Sequence, residues 1–272
     1  MVEPRAIVQK CYVLIIAAVS TFVPLFFPSI ATAQAPIPRG DSYIAGGKTA
    51  EMQQLEATSA YAITKCGNTT SRVLLSYDDW SYSSPPRMVS QAKLLKSKDV
   101  GALFFPIRQP HIDYLNKTGT NLVIQSLQQS QYMGNHTWSH PNLTTLSSSG
   151  IDSQIARGVG QRSGSSGYMR PPYGAYNTTV KSIAEGMNYH ICTWTVDTED
   201  WKNKTASQIC SHVKANVRAG SVVLMHLQTK AYDATNCIID GIRAKGLSLC
   251  RPYKVNGQYA TTPVRAPYPL PC

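Results

Sequence analysis

The chain has 272 residues, 43% of them hydrophobic and 15% charged, enough for a sizeable core and for one barrel-sized domain or two small ones. Its formal charge of +11 invites a nucleic-acid reading. The Lys and Arg residues are scattered, however, with no basic helix or aromatic-basic module. No nucleic-acid partner is therefore expected, and the positive surface suits residence on an anionic cell wall or matrix.

Arg5 and Lys10 precede an apolar run over residues 12–27, and Ala31-Thr32-Ala33 follows as a small-residue cleavage site, so residues 1–33 are predicted to be a signal peptide. Pro24 and Pro28 interrupt a run that is already short for a membrane span, and no stable membrane insertion is expected. The protein is read as secreted, extracellular or cell-wall associated, and as a monomer. Cys11 leaves with the signal. Cys66, Cys192, Cys210, Cys237, Cys250 and Cys272 remain, an even set that predicts three disulfides without choosing among the pairings. Asn-x-Thr sequons at Asn68, Asn116, Asn135, Asn142, Asn177 and Asn203 would be surface glycan acceptors in a secreted eukaryotic protein. At Asn135 the middle residue is His136, and this sequon is expected to be unused.

Residues 34–68 carry Pro36, Pro38, Gly40, Gly46 and Gly47 with little periodicity and read as an irregular N-terminal linker. Residues 69–250 form the candidate catalytic domain. Strand-like runs fall at 73–77, 102–107, 131–134, 167–169, 189–196, 221–226 and 247–250. Helical spacing falls at 88–95, 122–129, from 151, and at 178–187, 206–218 and 234–245. About seven such repeats with short connections predict an α/β fold, a partly open (β/α) barrel of about seven parallel strands with its site at the strands' C-terminal ends. Residues 251–272, rich in Pro and Tyr, read as a C-terminal tail tethered by a disulfide at Cys272.

Polar clusters follow the strands. In Asp78-Asp79-Trp80, two adjacent carboxylates can divide labour, one toward a metal and the other toward the water it polarises, although the pair alone also suits a solvated turn. His136 and His140 stand four residues apart and can grip one divalent ion. Asp79 would complete a set of two imidazoles and one carboxylate that leaves positions open, the catalytic rather than the structural arrangement. Pro141 disfavours helical geometry at His140. Arg170-Pro171-Pro172-Tyr173-Gly174 is rigid, suiting an arginine held against a carboxylate and a fixed N–H. In the stretch from Asp197 to Trp201 an acid can orient a histidine and the indole can wall an apolar pocket. Leu224-Met225-His226 puts an imidazole at the end of a buried strand, where a lone histidine is more often structural.

Asp-Asp, His-x-x-x-His, Arg-x-Pro-Tyr, Asp-x-x-Asp-Trp and Leu-x-His, in this order, resemble the motifs of the polysaccharide deacetylases of carbohydrate esterase family 4, over residues 71–250. The resemblance implies a distorted (β/α) barrel with about seven strands. It implies that Asp79, His136 and His140 hold a divalent metal, commonly zinc, and that Asp78 is the general base tethered by Arg170. The Tyr173 N–H would meet the oxyanion, and His226 would be the general acid with its protonation set by Asp200, Asp197 being the less favoured partner. Trp201 and Leu224 would line the acetyl-methyl slot. The family usually has glycine where this chain has Trp80, so the loop is expected to run differently there, with the indole near the cleft to stack on a sugar.

The implied activity is removal of acetyl groups from N-acetylglucosamine polymers, with chitin or chitin oligosaccharides first, peptidoglycan next and acetylxylan esters third. A catalytically silent chitin- or wall-binding protein is the non-enzyme alternative.

Overall fold

The run Leu-Leu-Ser-Tyr-Asp-Asp of Leu74–Asp79 (β1) is buried at every position, as befits a strand covered on both faces of a parallel sheet. The computed structural model describes residues 63–81, 86–159, 167–255, 258–259, 270 and 272. The predicted signal peptide, residues 1–33, and residues 34–62 of the predicted linker lie outside the described residues.

After β1 the chain alternates: helix Met88–Ser97 (α1), strand Ala102–Pro106 (β2), helices Arg108–Thr118 (α2) and Leu122–Leu127 (α3), and strand Tyr132–Met133 (β3). Helix Ser148–Ala156 (α4), strand Gly167–Met169 (β4), helix Thr178–Gly186 (α5) and strands Tyr189–Ile191 (β5) and Val196–Asp197 (β6) come next. Helix Ala206–Asn216 (α6), strand Val222–His226 (β7) and helix Ala231–Ala244 (α7) complete the body, and Lys254–Val255 (β8) pairs antiparallel with Gln258–Tyr259 (β9).

Five strands form a parallel sheet in the order β3-β2-β1-β7-β6, and β4 and β5 form a second parallel pair. A parallel bridge between Asn135 and Met169 joins the two, so the seven parallel strands run β6-β7-β1-β2-β3-β4-β5. Among the described residues no ladder closes β5 onto β6. This is the partly open barrel expected from the sequence, with its seam between two strands that are consecutive in the chain. The predicted strand over 189–196 is split there, because residues 192–195 leave the β4–β5 pair to cross the seam. The predicted strand over 247–250 forms no ladder and contributes an isolated bridge from Leu249 to Val73 and a bond from Gly101 N to Cys250 O.

Successive strand side chains point to opposite faces, and this alternation sorts the core. Leu75 and Tyr77 of β1, Phe104 of β2, and Val223 and Met225 of β7 pack outward in one cluster with Leu95, Val213, Ile238 and Ile242 of the helices. Leu74, Leu103, Phe105 and Val222 face inward with Tyr132 and Tyr168. The inward register that continues from Leu74 is Ser76 and Asp78, and from Val222 it is Leu224 and His226. Polar chemistry is thereby delivered to the inner, C-terminal end of an otherwise apolar sheet.

Helix α2 was not expected. Its only buried residue is His111, so it has no apolar stripe to read, and Pro110 in its first turn is tolerated there. Three disulfides form, Cys66–Cys192, Cys210–Cys237 and Cys250–Cys272. Residues 63–68, assigned to the linker by sequence, belong to the body, since Cys66 is buried and Asn68 bridges Leu270. Asn68 is also no surface acceptor: its amide is buried and donates to Arg72 O at 2.7 Å. Asn135 is buried as well, donating to Ile155 O and accepting from Thr137 N, both at 2.8 Å. No helix among the described residues is long and apolar enough to cross a membrane.

Candidate active site

Adjacent residues of a regular strand cannot face the same side, yet Asp78 and Asp79 both reach the cleft. Asp78 does so by register. Asp79 does so because its backbone is left-handed (φ 72°), which turns the chain at the strand end. The turn also answers the question raised by the missing glycine: the unusual backbone lies at Asp79, and Trp80 is not left-handed. Trp80 continues outward, 4% exposed, with its ring 5.8 Å from that of His111 and 6.0 Å from that of Tyr114 on α2. The expectation that it stacks on substrate is therefore corrected, since its faces are covered by core.

The loop after β3 brings the histidines to Asp79. Thr137 and His140 are left-handed (φ 67° and 63°), and the Thr137 hydroxyl accepts from His140 N at 3.0 Å. Nε2 of His136 and Nε2 of His140 each lie 3.3 Å from Asp79 Oδ1. Nδ1 of His136 is 2.7 Å from Arg170 O, a contact that only an Nδ1–H can make as a hydrogen bond, and in the neutral ring this tautomer turns the Nε2 lone pair toward Asp79. Oδ1 of Asp79 is buried with no hydrogen-bond partner. An orphaned carboxylate oxygen facing two imidazole nitrogens, all within 4.8 Å of one another, is a donor set that fits one divalent cation.

The electrostatics agree. Burial works to raise the Asp79 pKa, but the polar contacts around the carboxylate, the close His136 imidazole and the 2.6 Å bond from Gln228 Nε2 to Oδ2, outweigh it and hold the carboxyl well below its usual range. Burial, then the neighbouring His136, lowers the pKa of His140 despite the nearby carboxylates, favouring the neutral imidazole that a ligand requires.

Behind this centre, Arg170 is fully buried and donates from Nη1 to Asp78 Oδ1 at 2.7 Å and to Ser76 Oγ at 2.9 Å. On the opposite side, Asp200 takes three bonds: His226 Nδ1 at 2.7 Å, His226 N at 2.8 Å and Thr229 Oγ1 at 2.6 Å. Burial lowers the pKa of His226, but the Asp200 bond and charge, followed by Asp78 and Asp79, overturn this and push it up to about 9. Asp197, the other acid considered, accepts from Glu199 N at 2.8 Å instead.

Asp78, Asp79, His136, His140, Tyr173, Trp201, Leu224 and His226 line one cleft of about 390 Å³. Arg170 and Asp200 support it from beneath. Tyr173 is left-handed (φ 60°) in the turn made by Pro171 and Pro172, and its ring lies 4.8 Å from that of His140. Gly174 carries no Cβ because one would lie 2.7 Å from Trp194. Trp194 and Gln228 line the cleft but were not foreseen. Gln228 stands in the loop two residues after His226, and no motif marks Trp194 in the segment crossing the seam.

The family model for polysaccharide deacetylases matches residues 66–192. Among curated proteins, the chain is 36% identical over 162 residues to a peptidoglycan-N-acetylglucosamine deacetylase of Listeria monocytogenes, covering 58% of this chain and only a third (33%) of that protein. It is 30% identical over 197 residues to a peptidoglycan-N-acetylglucosamine deacetylase of Bacillus cereus, covering 69% and 68%. It is 28% identical over 189 residues to a chitin deacetylase of Colletotrichum lindemuthianum, covering 64% and 75%. The structure of a family 4 carbohydrate esterase from Streptomyces lividans in complex with acetate superposes with a TM-score of 0.56 at 26% identity, covering 67% of this chain and 91% of that one. Motifs, open barrel, cleft geometry and relatives converge: this chain belongs to the polysaccharide deacetylase family, carbohydrate esterase family 4.

Proposed function

We propose that the chain is a secreted, metal-dependent hydrolase that removes N-acetyl groups from N-acetylglucosamine polymers. The observation that carries this reading is the meeting of Asp79, His136 and His140 with Asp78 on one side and His226 on the other in a single cleft. A divalent cation, with zinc as first choice, would be held by those three residues and when bound would lower the pKa of a water and polarise the acetyl carbonyl.

The chain's own groups supply the rest. Asp78, oriented by Arg170, takes the proton of the attacking water. The Tyr173 N–H, fixed by the proline turn, donates to the oxygen on which negative charge develops. His226, kept protonated by Asp200, delivers a proton to the departing amine. Leu224 and the half-exposed Trp201 wall the space for the acetyl methyl. Residues 69–250 carry all of these groups, and residues 63–68 complete the domain.

Chitin or chitin oligosaccharides are the preferred substrate, a choice that rests on the sequons and the signal-like start and is supported by the chitin deacetylase relative. Peptidoglycan N-acetylglucosamine is the second reading, favoured by the Listeria and Bacillus relatives. The disulfides support a site of action outside the reducing cytoplasm. Acetate release from chitin oligosaccharides, peptidoglycan and acetylxylan, each with and without chelator, separates the substrates, and no release from any of them overturns the enzyme reading. Asp78→Asn should abolish turnover with the metal retained, whereas His136→Ala with His140→Ala should lose the metal in elemental analysis.

A further inference from the structure

The guanidinium of Arg170 has five N–H donors in one rigid plane, and they divide between two walls. The Nη1 edge faces β1 through Ser76 and Asp78. The other edge faces the segment that crosses the open seam: Nε donates to Cys192 O at 3.2 Å and Nη2 donates to Thr193 O at 2.8 Å. Nη2 also lies 3.4 Å from Cys192 Sγ and 3.8 Å from Cys66 Sγ, and the plane sits over the Phe105 ring at 4.4 Å.

Residues 192–193 therefore grip Arg170 while belonging to no strand themselves. Cys192 N donates to Met169 O at 2.8 Å, at the end of the β4–β5 pair. Their remaining anchors come from the N-terminal part of the domain. Thr193 N donates to Ile63 O at 2.9 Å, and Cys192 is covalently joined to Cys66, 126 residues earlier.

We infer that the Cys66–Cys192 disulfide is a positioning element for the reaction: it holds the two carbonyls that fix the far edge of Arg170, and Arg170 transmits that position to Asp78. The inference rests on the reading of Asp78 as general base. Because the guanidinium is planar, displacing one edge tilts the other, and a misplacement of about 1 Å at a reacting group costs about a hundredfold in rate. A disulfide that only closed a loop would change stability alone.

The Cys210–Cys237 disulfide is the control, since it ties α6 to α7 away from Arg170. Cys66→Ala/Cys192→Ala and Cys210→Ala/Cys237→Ala are compared at a temperature where both are folded, on the fastest substrate of the panel above. The first pair should lower kcat by about tenfold to a hundredfold, with KM and metal content unchanged. The second should leave kcat at the wild-type value. Wild-type kcat in Cys66→Ala/Cys192→Ala, or equal losses in both pairs, overturns the inference. Should that variant not fold, the native enzyme is reduced in place with thiols counted by mass spectrometry, and unchanged kcat with Cys66–Cys192 open has the same force. An active Asp78→Asn would instead sink the base assignment. An inactive Asp78→Asn beside a fully active disulfide variant would sink this inference alone.

Discussion

Replacing Asp200 with asparagine tests the charge that governs His226. The carboxylate accepts from both Nδ1 and the backbone N of His226, and the imidazole pKa stands at about 9 against an ordinary 6.5. That difference corresponds to about 3 kcal/mol of preference for the protonated form in the folded protein. A group whose pKa is raised by folding stabilises fully below its unfolded value and loses that contribution as pH rises through the folded value. The charge-dependent stability is thus complete below pH 6.5, fades between 6.5 and about 9, and is gone above. Urea unfolding with disulfides intact and EDTA present, at about pH 6, 8 and 10, reads this directly. Asp200→Asn should be less stable than wild type by up to about 3 kcal/mol at the lowest pH, with the gap narrowing to a small remainder at the highest. A gap of equal size at all three, or one that widens with pH, would refute the reasoning. The variant should also lose kcat near neutrality, by about fourfold if the imidazole returns to its ordinary value and by more if burial carries it lower, as the proton donor becomes scarce.

Gln228→Ala removes the donor that orients Asp79 and should weaken metal affinity by about tenfold or more, read by chelator competition; unchanged affinity would show that Asp79 orients itself. Trp80→Ala should cost about 3–5 kcal/mol of stability with KM unaltered. Trp201→Ala, at an indole 55% exposed, should do the reverse, raising KM with little change in Tm. Exchange of those two outcomes would return Trp80 to the cleft. Glycopeptide mass spectrometry of secreted material should find Asn68 and Asn135 unmodified, and a glycan on Asn135 is incompatible with the bonds its amide makes.

What sequence could reveal depended on whether a residue's surroundings are local. The buried strands announced themselves as apolar runs, and the polar residues at their ends, Asp78 and His226 above all, fell on the inner face by simple alternation. Asp79 and Trp80 show where this stops. One left-handed residue sends neighbours in opposite directions, and the surface receiving Trp80 is α2, whose polar sequence hid it. The break at residues 192–195 was invisible because the run from Tyr189 to Val196 is uniformly strand-like, and only the sheet's failure to close splits it. Gln228 and Trp194 have no motif at all, since each matters only through a partner distant in sequence.

Four of the left-handed residues around the cleft, Asp79, Thr137, His140 and Tyr173, also bear on how far this protein can be made heat-tolerant. Each holds a conformation that costs an L-residue about 1–2 kcal/mol, so a glycine at any of them would relax the backbone. At Asp79 and His140 that change deletes a proposed metal ligand, and at Thr137 it deletes the hydroxyl that anchors His140 N. Tyr173, with its side chain 69% exposed, is the one position where relaxation is compatible with an intact donor set. Among these four positions, selection for thermal tolerance should therefore converge on Tyr173 and otherwise find its gains elsewhere in the fold.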